Sequence, residues 1–287
     1  MNKETYKDRE DRLFQEWREK YKEKYKEWYK NKEFEDDMFC EDGLLYRGEH
    51  EIVVNELEKK KYWVRRPGNE TEIWDNAKVR LLILTKDTPE NSEQCDVREE
   101  AGRKNPTDGN IVTSGKYFYK NLTMWSYALI RMLSGEKRET YEDLPDWDKL
   151  REYYETDPIA RVNCKKEIGE STCADNVLKN HMEDFQEFLK TQINMYDADI
   201  ILCCGKDKSI KDFVNEYCIF DLEEYSFSDY KEISLYFSPS TKKIIIHSYH
   251  PSMIGCSEEF LEKYYEKMMD GVEAFLKEYP EFIRTSK

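Results

Sequence analysis

Four apolar runs of strand length are spaced along the chain. They are Val79–Thr85, Ile159–Asn163, Ala198–Gly205 and Ile244–Ile246. Apolar residues fill these runs without a two-residue alternation, which is typical of strands buried on both faces of a parallel sheet. Stretches with apolar residues three and four apart separate the runs and predict helices, including one over residues 174–196. The alternation predicts an α/β fold: a three-layer α/β/α sandwich with a central four-stranded, mainly parallel sheet.

An N-terminal helical extension is predicted over residues 4–32. Aromatic residues recur along it at spacings of three and four: Phe14, Trp17, Tyr21, Tyr25 and Trp28. Such a stripe either packs on the body of the protein or forms a platform for nucleic-acid bases, and its spacing favours packing. We therefore expect residues 1–75 to be an accessory extension and residues 76–287 to be the α/β domain, with an irregular segment over residues 134–157.

The composition indicates a folded protein with a densely charged surface. Aromatic residues make up 14% of the 287 residues, which argues against disorder. The formal charge is 46 − 61 = −15, which argues against nonspecific binding to DNA or to an anionic membrane. Any contact with nucleic acid must be local. The basic run Lys59–Arg66 is a candidate for it, although a solvated charged face is the commoner meaning of such a run.

The eight cysteines are scattered, with no CxxC pair and no Cys/His cluster at zinc spacing. This pattern predicts a reducing cytoplasm and no structural metal. No stretch approaches the roughly 18 apolar residues of a membrane helix, and residues 1–4 begin no signal peptide. We expect a cytoplasmic monomer that does not bind membranes.

Polar or permissive residues follow the four predicted strands. They are Asp87, Asn163, the turn at Gly205 and His250, which ends the stretch Ile-Ile-Ile-His-Ser-Tyr-His before Pro251. Ligands bind outside the carboxyl ends of parallel strands, so these positions are expected to line one cleft. A carboxylate, an amide and an imidazole there can activate water, bind the edge of a planar ligand and stabilise a developing anion. Individually, the same residues could be a turn former, a strand terminator and a capping histidine.

The other three histidines are weaker candidates. His247 lies just inside the predicted sheet end and is expected to pack in the interior. His181 falls on the apolar side of a predicted helix, where a hydrogen-bonded core histidine is the commoner case. His50 has no informative context.

At these positions the chain resembles the uracil-DNA glycosylase superfamily over roughly residues 79–254. His250-Pro251-Ser252 looks like the late His-Pro-Ser motif of that superfamily. The block from Asp184 to Gly205 is similar to its helix-then-strand block, and Ser114–Phe118 resembles its Thr-Gly-Arg-Pro-Phe segment. The order and placement of the motifs make the resemblance fairly specific, although no single motif is decisive.

The resemblance implies the catalytic and base-binding residues. Asp87 occupies the place of the aspartate that orients the attacking water, and His250 would stabilise the negative charge on the departing base. Phe118 would stack on the flipped base, while Asn163 would hydrogen-bond its Watson–Crick edge.

The resemblance also implies contacts with the DNA duplex. Ser252 would contact DNA, and the next two residues, Met253 and Ile254, would fill the gap left in the base stack. No cofactor is implied.

The chain departs from the family pattern in three places. Thr85 stands where the family usually has glycine, Thr88 where proline is frequent, and Pro89 where the strict uracil enzymes have tyrosine. The cysteine pattern of the iron–sulfur branch is absent. With these departures, the resemblance implies a cluster-free monofunctional DNA glycosylase with a role in repair or in defence against phage. Its pocket is expected to admit a bulkier base than uracil, including a modified cytosine of viral DNA.

Two other functions stay open at this point. A catalytically weak or inactive module that binds nucleic acid or another partner would fit the −15 charge and the altered motif around Asp87. A hydrolase acting on a nucleoside or nucleotide could use the same cleft.

Overall fold

The structure, a computed structural model, describes residues 4–28, 38–55, 60–87, 96–100, 116–169, 173–227, 233–253 and 256–284. Within these ranges the strands are β1 (Gly43–Leu44), β2 (His50–Asn55), β3 (Lys60–Arg65), β4 (Leu81–Thr85), β5 (Ile159–Asn163), β6 (Ile200–Cys204), β7 (Glu223–Tyr225), β8 (Ser234–Ser238) and β9 (Lys243–Ser248). The α-helices are α1 (Tyr6–Trp28), α2 (Glu70–Asn76), α3 (Lys116–Leu133), α4 (Trp147–Thr156), α5 (Asp175–Asp184), α6 (Gln186–Tyr196), α7 (Ser209–Phe213) and α8 (Glu258–Glu278).

The described strands form a seven-stranded sheet and a separate hairpin. The order in the large sheet is β1-β5-β4-β6-β9-β8-β7, and β2 pairs with β3. The four central strands, β5, β4, β6 and β9, run parallel, while β1, β8 and β7 add antiparallel edges. The predicted parallel core of four strands is therefore confirmed, and the sheet extends beyond it on both sides.

Two hydrophobic cores lie on opposite faces of the sheet. Alternate residues of β4 show the division, because Ile83 packs in the core covered by α3 and α8, whereas Leu84 packs in the core covered by α1, α5 and α6. Every residue of the central strands β4, β5 and β6 is buried, which explains their continuous apolar runs. The three-layer α/β/α sandwich is confirmed.

Helix α1 packs on the core through its aromatic stripe. The ring centroids of Trp17 and Phe188 are 5.5 Å apart, and those of Tyr21 and Phe185 are 4.2 Å apart with nearly parallel planes. The prediction that the stripe packs on the body is confirmed. The helix is described from Tyr6 to Trp28, and the predicted residues 29–32 lie outside the described part of the chain.

Two helix predictions were wrong in detail. The segment predicted to be irregular contains α4, which begins at an Asp146 N-cap whose side chain accepts a hydrogen bond from the Lys149 amide. The helix predicted over residues 174–196 is two helices, α5 and α6, divided at Phe185. Val177, assigned to its apolar side, is 40% exposed.

Candidate functional site

The carboxyl ends of the four central strands lie side by side. The register pairs Thr85 with Asn163 and Cys204 with Ser248. Because the strands are parallel, the segments that follow them leave the sheet at one edge, as the sequence predicted. We call this the strand-end site.

His250 lies in the loop that follows β9. Its Nδ1 atom accepts a hydrogen bond of 3.4 Å from the backbone N–H of Ser252. Burial, assisted by the charges of Lys86 and Arg161, lowers the pKa of His250 to about 4. The imidazole is therefore neutral at pH 7, and with Nδ1 accepting, its proton resides on Nε2.

Phe118, at the start of α3, lies against His250. The two ring centroids are 5.6 Å apart with the planes inclined by 37°. The structure thus brings together the residues predicted to stack on a base and to stabilise its negative charge. Phe118 is only partly buried.

Arg161 is a member of this cluster that the sequence analysis missed. Its Cζ atom lies 5.2 Å from the centroid of the Phe118 ring, in cation–π geometry. The side chain is buried, and its charge contributes to the low pKa of His250. The available signal was a single arginine inside the otherwise apolar strand Ile-Ala-Arg-Val.

Asp87 lies beyond the end of β4, next to a lysine from the segment after β5. The Asp87 Oδ2 atom is 3.9 Å from the Lys165 Nζ atom. Burial raises the pKa of the Asp87 carboxyl, and this rise is opposed by the Lys165 charge, a hydrogen bond from Cys173 and the Lys86 charge. The charge of Lys86 thus influences both Asp87 and His250.

The segment that follows β5 closes tightly over Asp87. A Cβ atom built on Gly169 would lie 2.0 Å from the Asp87 Oδ2 atom and 3.3 Å from the Lys165 Nζ atom. A side chain at position 169 would require the Asp87 carboxylate to move. Gly169 is therefore a determinant of where the carboxylate lies.

Lys86 connects the loops after β4 and β6. Its Nζ atom donates to the Asp175 carboxylate at 2.5 Å and lies 3.5 Å from an Asp207 oxygen. Burial alone would lower the pKa of Lys86, but the hydrogen bond to Asp175 and the two negative charges raise it. The ammonium group therefore stays charged at pH 7.

Asn163 lies deeper than the other predicted residues. Its Oδ1 atom accepts a hydrogen bond of 2.5 Å from the Thr85 hydroxyl, and its backbone N–H donates to Asp42 at 2.8 Å. The residue is 2% exposed. Thr85, the substitution at the usual glycine position, thus holds the carboxamide from the neighbouring strand, and a role in binding a base edge stays a prediction.

The predicted DNA-contacting residues fall into three situations. Ser252 is partly buried, and its backbone contacts His250. Met253 is 7% exposed, packs in the core beneath α3 and α8, and has a φ of 39°. Its role as a wedge stays a prediction and requires the side chain to leave this position. Ile254 lies outside the described residues, as do Thr88 and Pro89.

The other histidines have distinct surroundings. His247 is buried, and burial lowers its pKa to about 4, as expected for an interior residue. Its neighbours along β9, Ile246 and Ser248, face the opposite side of the strand by alternation. His181 is buried and its Nδ1 atom lies 2.8 Å from the Tyr21 hydroxyl, so the predicted hydrogen-bonded core role is confirmed. His50 lies 3.6 Å from a Glu155 oxygen.

A charged concavity lies at the opposite edge of the sheet. This cavity of about 300 Å³ is lined by charged residues that include Arg80, Asp197, Asp199, Lys243 and Arg284. Lys243 pairs with Asp197, and both Arg80 and Arg284 pair with Asp199. These ion pairs connect the amino ends of the strands to one another and to the C-terminal segment, which gives the charged residues a structural role.

Within the described ranges, no three His, Cys, Asp or Glu side chains are grouped in a way that could hold a metal ion. None of the described helices is both long and apolar enough to cross a membrane.

The strand-end site combines three chemical capabilities. The neutral His250 imidazole can donate from Nε2, the Phe118 ring offers an apolar face, and the Asp87 carboxylate can orient or accept a proton from water. Together these groups are suited to breaking a bond whose leaving group is a planar ring that takes up negative charge.

The comparisons with known proteins assign the chain to no family. No family model matches the sequence, and no curated protein matches it significantly.

Proposed function

We propose that the chain is a monofunctional DNA glycosylase that accommodates a flipped base at the strand-end site and hydrolyses its N-glycosidic bond. The observation that carries the proposal is the contact between a neutral His250 imidazole and the Phe118 ring beside the ends of four parallel strands. The centroids of the two rings are 5.6 Å apart. The motif resemblance to the uracil-DNA glycosylase superfamily supports the same assignment.

Base flipping requires a pocket that restores the stacking lost in the duplex. Unstacking costs a few kcal/mol, and contacts with aromatic rings and the edge of the base recover it. Phe118 supplies the aromatic face. The Arg161 guanidinium, whose Cζ atom lies 5.2 Å from the centroid of this ring, adds positive charge beside it.

His250 stabilises the leaving group. When the glycosidic C–N bond breaks, its electron pair stays on the base, which becomes an anion, and the sugar carbon becomes electron-deficient. A donor already in place strengthens its hydrogen bond as this charge grows, without reorganising solvent. A neutral imidazole with its proton on Nε2 is such a donor, and it need not first lose a proton at pH 7.

Asp87 directs the water that completes the reaction. The ionised carboxylate favours the electron-deficient sugar carbon and accepts hydrogen bonds from the attacking water. Water adds to the carbon as the base leaves, and its proton passes to the carboxylate and then to solvent. The base is released as an anion and takes up a proton from solvent. Lys165, 3.9 Å from Asp87, favours the ionised form.

A second candidate function is a binding module without catalysis. It is favoured by the location of Asn163, whose buried carboxamide is already hydrogen-bonded to Thr85. Such a module would bind DNA at the same edge and leave the bases in place.

The test is the release of free base from a panel of duplex and single-stranded DNAs. The panel contains uracil, 5-substituted uracils and modified cytosines, and products are measured as free base and as abasic sites. We expect free base and abasic sites from at least one substrate, with the DNA backbone left intact. DNA binding without release from any substrate would support the binding module, and turnover of free nucleosides alone would point to a nucleoside hydrolase.

A further inference from the structure

The loop that carries His250 is held on both sides of the histidine by side chains from two helices. Residues 249–252 follow β9 and include Pro251, whose carbonyl group lies in the interior. A loop of this kind leaves its imidazole free to shift unless the flanking backbone groups are bound.

Asn121 of α3 binds the loop on the C-terminal side of His250. Its Nδ2 atom donates a hydrogen bond of 2.7 Å to the Pro251 carbonyl oxygen. Asn121 is 1% exposed, and a buried carboxamide that spans two separate elements fixes their relative position.

Tyr264 of α8 binds the loop on the N-terminal side. Its hydroxyl oxygen accepts a hydrogen bond of 2.7 Å from the backbone N–H of Tyr249. The two rings also pack with centroids 5.5 Å apart. His250 therefore lies between two backbone groups that are each bound from a different helix.

The same helix positions both halves of the His250–Phe118 pair. Phe118 and Asn121 are three residues apart on α3, a spacing that places them on one side of a helix. Phe118 contacts the imidazole, and Asn121 binds the backbone next to it. A movement of α3 would therefore shift the ring and the loop together.

We propose that Asn121 is a positioning residue for His250, with Tyr264 as its counterpart on the other side of the loop. Asn121 does not touch the substrate. It sets the distance between the imidazole and a base that stacks on Phe118. This role rests on the proposed function, but its effect on the imidazole itself can be measured without any reaction.

The experiment compares Asn121→Leu with the wild type in two measurements. The first follows the titration of His250 by NMR of the imidazole nitrogens, which four histidines make tractable; assignment comes from His250→Gln. Loss of the hydrogen bond should open the loop and move the pKa of His250 from about 4 towards its ordinary value of 6.5. The charged groups acting on this imidazole, Lys86 and Arg161, are unchanged.

The second measurement is the single-turnover rate of base release. Asn121→Leu is expected to lower it about 100-fold, the size of effect that a misplacement of about 1 Å produces. Thr123→Val is the matched control, since Thr123 is also buried on α3 and, among the described residues, its side chain hydrogen-bonds within its own helix, to the Tyr119 carbonyl. The control should leave both measurements as in the wild type.

A folded Asn121→Leu protein with the wild-type titration and rate would overturn the proposal. If Asn121→Leu does not fold, Tyr264→Phe decides by the same measurements, because it removes only the hydroxyl that binds Tyr249. Wild-type behaviour of that variant would likewise overturn the proposal. If the wild type releases no base from any DNA, the glycosylase assignment fails, while the titration still decides whether Asn121 positions His250.

Discussion

At the scale of residues, the Lys165 ammonium sets the ionisation of Asp87. Burial raises the pKa of the carboxyl, and Lys165 is the largest of the influences that oppose the rise. In Lys165→Met the pKa of Asp87 should rise further, so that a smaller fraction is ionised at a given acidic pH. The acid limb of the base-release profile is then expected to move to higher pH. The control Lys149→Met, at an exposed site on α4, should leave the acid limb unchanged. If the acid limb is also unchanged in Lys165→Met, the Asp87 carboxylate does not govern the rate.

His250 also makes folding sensitive to pH. Its pKa is about 4 in the folded protein, against an ordinary value of 6.5, so between these values the unfolded chain binds a proton that the folded chain does not. This contribution to stability is therefore present above pH 6.5 and is lost as the pH falls towards 4. Between pH 7 and pH 5 the loss amounts to about 2 kcal/mol.

In His250→Gln this contribution is absent. Urea unfolding of both proteins at pH 7 and pH 5 should show that the variant loses about 2 kcal/mol less than the wild type between the two conditions. Equal losses would mean that His250 is not kept neutral by its surroundings.

At the scale of elements, the segment after β5 determines the place of the Asp87 carboxylate. Gly169→Ala places a Cβ atom 2.0 Å from Asp87 Oδ2. Because the clashing atom is the end of a side chain, the Asp87 carboxylate can move away at little cost in stability, and its displacement should slow base release. Gly205→Ala, in the loop after β6, is the matched control because the nearest atom to its Cβ is at 3.5 Å, an ordinary contact. Comparable rates of base release by the two variants would contradict this explanation.

Helix α1 contributes to the stability of the whole sheet. Trp17 is almost completely buried against Phe188 and Phe39. Trp17→Ala is expected to lower the free energy of unfolding by about 3–5 kcal/mol, whereas Glu16→Ala, on the exposed side of the same helix, should change it by less than about 0.5 kcal/mol. Denaturant unfolding measures both. A small effect of Trp17→Ala would mean that the helix does not stabilise the core.

The central strands were predictable from sequence because both of their faces are buried. The predicted strand Ile159–Asn163 has the same bounds as β5, since a short, mainly apolar run leaves few alternatives to a buried strand. The edge strands were not predicted. β1 has two residues, and β7, Glu223–Tyr225, is mostly exposed, so neither has a hydrophobic pattern that distinguishes it from a loop.

The members of the candidate site were predictable where they follow strand ends. His250 and Asp87 were found in this way. Arg161 was not found, because its contact with Phe118 depends on how helix α3 packs against the strand, and the sequence alone does not reveal that packing. The Thr85–Asn163 hydrogen bond could likewise not be predicted, since the register of the two strands decides which of their residues are neighbours.

At the scale of the whole molecule, buried polar contacts connect the N-terminal portion to the strand-end site. The Asp42 and Lys166 side chains form a fully buried ion pair, and Asp42 also accepts the Asn163 N–H. Strand β1, which follows Asp42, pairs with β5 in the large sheet. The residues before position 76 thus contribute to the same sheet that positions the candidate site.

The net charge of −15 limits how the proposed enzyme meets DNA. The positive charges near the strand ends do little to offset the repulsion of DNA. Lys86 is paired with Asp175 and Asp207, Lys165 is buried beside Asp87, and Arg161 is buried as well. We therefore expect no strong electrostatic attraction of DNA to this edge and only a shallow dependence of binding on salt concentration.

The most direct test of the account compares two histidines from one strand and its loop. His250→Ala and His247→Ala are measured for base release in single turnover, on the DNA from which the wild type releases base. We predict a loss of about 100-fold or more in His250→Ala, with His247→Ala close to the wild-type rate as long as it remains folded. Equal rates in His250→Ala and the wild type, or no release of base by the wild type from any DNA, would contradict the claim that His250 stabilises a departing base.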